Sequence, residues 1–121
     1  MRHILLTALL ASSATAMAAA VARTDTILIQ GNASGTQTVA TDASGATLAE
    51  YSYNDRGRGD HIVASWKLDA AGILVEYAGS GNDYMKAPVE EHFLIRGGKA
   101  TWSNRTEHGE QAVTGAAFYI P

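Results

Sequence analysis

Ile62-Val63-Ala64-Ser65-Trp66-Lys67-Leu68, then Asp69-Ala70-Ala71-Gly72, then Ile73-Leu74-Val75-Glu76-Tyr77 is the stretch that decides the fold class. Two runs rich in β-branched and aromatic residues flank four turn-forming residues. In an extended chain alternate side chains share a face, so Ile62, Ala64, Trp66 and Leu68 are expected on one side. Asp can bond its own downstream backbone, and Gly takes a positive φ without steric cost. The stretch therefore reads as two antiparallel strands and a tight turn.

The same grammar extends in both directions. Residues 26–30 (TILIQ) form a first strand ended by Gly31-Asn32, and 36–41 (TQTVAT) a second, stopped by Asp42-Ala43-Ser44-Gly45. Residues 47–53 (TLAEYSY) form a third, with Tyr51 and Tyr53 on one face. The polar loop 54–60 follows. Beyond Tyr77, residues 79–83 (GSGND) read as a turn, 89–95 (VEEHFLI) as a strand ended by Gly97-Gly98, and 99–102 (KATW) as another. Residues 104–110 read as loop, and 112–120 supply a possible eighth strand. Turn signals every 8–15 residues or so fit a meander, and no helical stripe follows the N-terminus. The expected fold is all-β: an antiparallel meander of about seven to eight strands forming a curved sheet or half-barrel, preceded by a signal-peptide helix.

The N-terminus carries that signal. Met1-Arg2-His3 is a short positive start, 4–10 (ILLTALL) is apolar, and Ala-x-Ala patterns follow from Ala14 to Ala22. This order marks a secretory signal peptide. A membrane span needs about 20 apolar residues, and Ser12, Ser13 and Thr15 interrupt this one. Cleavage is expected after Ala18, and at the latest after Ala22, placing residues 19–121 in a single periplasmic or secreted β domain with no membrane attachment. Removing 18 of the 121 residues leaves 103, with 8 Lys and Arg against 12 Asp and Glu once Arg2 is lost, a net charge of −4. No basic patch stands out, so nucleic acid is not an expected partner. The chain has no cysteine, which excludes disulfide staples, thiol catalysis and cysteine metal sites.

Few residues carry chemistry. Of the histidines, His61, His92 and His108 lie in the mature part, with no His-x-His and no His-Glu-x-x-His. Glu90 and His92 share a strand face, two ligands at most, whereas a catalytic zinc needs three. No metal and no cofactor are expected. No Gly-x-Ser-x-Gly elbow is present, and no base is placed for a serine nucleophile. The loop Asn54-Asp55-Arg56-Gly57-Arg58-Gly59-Asp60 has two readings. Arg56 and Arg58 could hold a carboxylate or phosphate, or Asp55 and Asp60 could neutralise them within a demanding hairpin loop. Arg58-Gly59-Asp60 also matches a cell-adhesion tripeptide, too short to carry weight. Trp66, Tyr77 and Phe93 are candidates for an apolar cleft on a curved sheet. Aromatic residues of this kind, Tyr84 and Trp102 among them, more often simply pack.

At 51–60 (YSYNDRGRGD), 68–72 (LDAAG), 83–91 (DYMKAPVEE), 100–103 (ATWS) and 116–121 (AAFYIP), the chain resembles the N-terminal β-rich region of exported bacterial amidohydrolase-family proteins, which are metal-dependent hydrolases. The resemblance covers most of residues 19–121. It implies a β-rich segment ahead of a catalytic barrel. That family's His-x-His and its later metal ligands have no counterpart here, so no catalytic residue carries over. The implied role is a non-catalytic accessory domain, truncated or stand-alone, with a hydrolase catalytic domain as its partner. The alternative is a periplasmic module holding a small apolar ligand in its curved sheet.

Overall fold

The computed structural model describes residues 21–117, so the expected signal helix, its cleavage site and the end of the expected eighth strand lie outside the described residues. Eight strands form one open, curved antiparallel sheet in which every neighbour in space is a neighbour in sequence. They are β1 (Val21–Ile29), β2 (Asn32–Thr41), β3 (Ala46–Tyr53), β4 (His61–Leu68), β5 (Leu74–Asn82), β6 (Pro88–Arg96), β7 (Lys99–Asn104) and β8 (His108–Ala112).

One turn design recurs three times. In Asp42–Ala46, Asp69–Ile73 and Asp83–Ala87 the leading Asp N–H donates to the carbonyl four residues on, at 2.8–2.9 Å. Its carboxylate accepts the backbone N–H groups two and four residues on, at 2.8–3.1 Å. The fourth residue closes the turn with positive φ: Gly45 at 80°, Gly72 at 81° and Lys86 at 67°. A side-chain carboxylate thus satisfies donors that the ending strands leave open. The first two copies are the Asp-x-x-Gly turns of the sequence. The third hides behind a lysine. The β1–β2 and β6–β7 connections are two-residue turns with both φ values positive, Gln30-Gly31 and Gly97-Gly98. This is the hairpin geometry that matches strand twist.

Three expectations about element bounds fail. Residues 79–83 were read as a turn, but β5 runs on to Asn82. Gly79 and Gly81 are strand glycines: a Cβ at Gly79 would meet the Tyr77 hydroxyl at 2.7 Å, and one at Gly81 would strike the His61 carbonyl. Residues 104–110 read as loop and 112–120 as the eighth strand, but β8 spans His108–Ala112, starting inside the first range and meeting the second only at Ala112, and 113–117 form no strand. Asn104 makes the reversal short by accepting from the Thr106 and Glu107 N–H groups at 2.8 and 2.9 Å.

The sheet is a single layer. Among the described residues only two apolar side chains are buried, Phe93 at 4% and Ala100 at 3% exposure. Both lie on the same face by strand register. Leu68 departs from its expected row. The register slips between Lys67 and Leu68, and Leu68 is 52% exposed. Phe93→Ala should therefore cost about 3 kcal/mol, measured by urea unfolding. A loss below about 1 kcal/mol would mean that Phe93 organises no core.

Candidate functional site

Antiparallel partners that face each other across a ladder project to the same side. Following the register from β3 to β8 gives one row: Thr47, Trp66, Tyr77, Phe93, Trp102 and Gly109. Four aromatic rings thus stand side by side across β4 to β7. The row brings together all three sequence candidates for an apolar face, Trp66, Tyr77 and Phe93. It adds Trp102, which the sequence reading had grouped with ordinary packing aromatics.

Glycines make room for the rings. A Cβ on Gly109 would collide with the Trp102 indole, and one on Gly79 would crowd Tyr77. Tyr77 and Trp102 thus lie close against bare glycine backbone. The next row on this face is small in its centre, with Ala49, Ala64 and Gly79 in register. Glu91 follows on β6 and accepts a long hydrogen bond from the Tyr77 hydroxyl at 3.5 Å. An open hollow of about 290 Å³ crosses the same strands, but six of its nine lining residues, Glu76, Ala78, His92, Leu94, Thr101 and Ser103, belong by register to the opposite face.

The opposite face is mixed. It carries Glu50, His61, Glu90 and His92 among Thr and Ser residues, with Leu48, Val63 and Leu94 between them. His61 pairs with Glu50 at 3.0 Å, and His92 lies 3.8 Å from Glu90. The register sets His92, Ser103 and His108 in a line across three strands, which keeps the two imidazoles two strand spacings apart. Among the described residues no three His, Asp or Glu side chains converge on a point that could hold a metal.

The β3–β4 loop closes on itself at the end of the sheet. Asp55 and Arg58 exchange both backbone hydrogen bonds, at 2.6 and 3.1 Å, around Arg56 (φ 54°) and Gly57 (φ 88°). Asn54 Oδ1 accepts the Gly57 N–H at 2.8 Å. Gly59 (φ 143°) passes directly under Tyr53, where a Cβ would strike the Tyr53 carbonyl. The charges divide unequally. Arg56 donates to Asp55 at 3.0 Å, and the Tyr84 hydroxyl donates to the other oxygen of Asp55 at 2.9 Å. These two donors, Arg56 first, hold the Asp55 carboxyl below its ordinary pKa. Asp60 accepts from the Tyr51 hydroxyl at 3.0 Å. Among the described residues Arg58 joins no ion pair, and its guanidinium lies 6.0 Å from the centre of the Tyr84 ring. Lys86 crosses from the third Asp turn to donate to the Gly59 carbonyl at 3.1 Å. The sequence offers Tyr84 only as a packing aromatic and gives Lys86 no role of its own, although the Asp83 turn that carries them follows the same spacing as the other two.

Comparison with protein-family models, with curated proteins and with solved structures finds no match to this chain.

Desolvation, reinforced by the hydrogen bond to Asp60, pushes the Tyr51 phenol up to about 12 from the ordinary 10.0. The folded state thus holds this proton more tightly than the unfolded chain. The resulting stability is complete below pH 10 and fades as pH rises toward 12. Tyr51→Phe should flatten the loss of stability across that window in a chemical unfolding series. An unchanged slope would show that Tyr51 titrates elsewhere.

Proposed function

We propose that this chain is a non-catalytic accessory β domain whose aromatic face docks a second body, and that the body is the catalytic barrel of an exported metal-dependent hydrolase. The observation that carries the reading is the aromatic row on a one-layer sheet. Trp66, Tyr77 and Trp102 stay half-exposed, while Phe93 and Ala100 are the only buried apolar side chains among the described residues. A β-sheet with an apolar face ordinarily buries it against another layer. The family is supplied by the resemblance of the loop at 54–60, the segment at 83–91 and the neighbouring stretches to the region ahead of such barrels. Export to the periplasm is supported by the order of charge, apolar run and small residues at the N-terminus.

The second reading, a module for a small apolar ligand, would use the open hollow across β5 to β7. Small-molecule sites enclose most of their ligand in roughly 300–1,000 Å³. At about 290 Å³ this hollow is open to solvent and lined mainly by the mixed face opposite the aromatic row, so it does not favour an engulfed apolar ligand.

The test is complementation in trans. An exported amidohydrolase-family barrel expressed without its own N-terminal β region should be recovered with this chain and regain solubility. Trp66→Glu should abolish the association while circular dichroism still shows the sheet. Equal association by the Trp66→Glu variant, or turnover of amide substrates by this chain alone, would defeat the proposal. Saturable one-to-one binding of a fatty acid or hydrophobic dye, with no barrel association, would favour the second reading.

A further inference from the structure

We propose that the β3–β4 loop is a binding site for a compact carboxylate, held by the Arg58 guanidinium beside the Tyr84 ring. The site is separate from the aromatic face. Asp55, Arg56, Arg58 and Tyr84 line an open hollow of about 320 Å³ at the end of the sheet. Its charge balance is uneven. Asp55 is held by Arg56, which reaches both of its oxygens, and by the Tyr84 hydroxyl on one of them. Asp60, the other acid that could have neutralised Arg58, is turned to Tyr51 instead. Lys86 donates to the Gly59 carbonyl and so braces the loop. Two arginines and one aspartate leave the hollow with one net positive charge, and that charge is carried by Arg58.

The guanidinium is also positioned in advance. Both backbone groups of Arg58 are tied to Asp55, so the side chain leaves the loop from a fixed base. Tyr84 is anchored through its hydroxyl, so the ring presents a fixed flat wall beside the guanidinium. A planar fork of donors matches the two oxygens of a carboxylate. One uncompensated positive charge balances a monoanion, whereas a phosphate dianion would leave excess negative charge next to Asp55. Arg96 is the informative contrast. It too joins no ion pair among the described residues, but it stands at the far end of β6 on open surface and lines none of these hollows.

The experiment is a nuclear magnetic resonance titration of the nitrogen-labelled protein with acetate and, separately, inorganic phosphate, with chloride holding ionic strength constant. Acetate should move the Arg58 side-chain N–H and the Gly57 and Gly59 amides together and saturably, with half-saturation on the order of millimolar. Arg58→Gln should abolish the saturable shift, and Arg96→Gln should leave it unchanged. Linear shifts without saturation, tighter binding of phosphate than acetate, or an unaltered response in Arg58→Gln would overturn the assignment. A short peptide with a free C-terminal carboxylate, compared with its amidated form, then distinguishes the source. Tighter binding than acetate assigns a polypeptide terminus, equal binding a free small acid, and either result keeps the carboxylate chemistry.

Discussion

Everything in this structure depends on hydrogen bonding between strands that are already neighbours in the chain. The sheet order follows the sequence order without a crossover. Each hairpin therefore closes a short loop, and the entropy lost in forming it is small. That economy lets a chain with so little buried side-chain volume hold its shape. It also transfers the burden of specificity to the turns, because a slip of one residue would move every side chain to the wrong face.

The turns meet that burden with side-chain oxygens. Asp42, Asp69, Asp83, Asn54 and Asn104 each accept one or more backbone N–H groups where a strand reverses. At Asp42 the Ser44 hydroxyl adds a further donor at 2.7 Å, and it is the leading reason that the carboxyl sits below its ordinary pKa. A carboxylate that accepts several donors fixes both the length of the loop and the register of the two strands beside it. Lys86 at φ 67° is the informative exception, since a non-glycine residue in that region costs about 1–2 kcal/mol. Its side chain reaches the Gly59 carbonyl, joining the third Asp turn to the arginine loop. The strained backbone thus accompanies one of the links between these two connections, the Tyr84–Asp55 hydrogen bond being another.

The strands and the Asp-x-x-Gly turns were legible in the residues, because alternation and turn chemistry are local properties. The even-numbered partners Ile62, Ala64 and Trp66 face together as alternation requires, and Tyr51 shares their row system through Ile62. What local reading missed is what the neighbouring strand decides. Gly79 and Gly81 look like turn residues until Tyr77 and His61 are placed beside them, where only glycine fits. Gly109 looks like loop until Trp102 lies across it. The arginine loop was legible only as two alternatives. Which acid would quench which guanidinium depended on Tyr84 and Tyr51, residues 29 and 9 positions from their carboxylate partners.

An open sheet leaves two edges, and the composition of the outer strands bears on what they do. A long, flat apolar edge invites pairing with another chain. β8 is short and polar, with Glu110 paired to Lys99 at 3.1 Å. β1 is longer, but it carries the Arg23–Asp25 ion pair at 2.8 Å and a register slip after Ile27 that breaks its straight run. Charges and a bulge are the features that discourage edge-to-edge growth. The apolar surface that remains is on the faces, and the aromatic row is its most continuous part. The physical asymmetry therefore points association at the face of the sheet rather than at its rim, because rings laid over glycine backbone offer contact area with little side-chain freedom to lose.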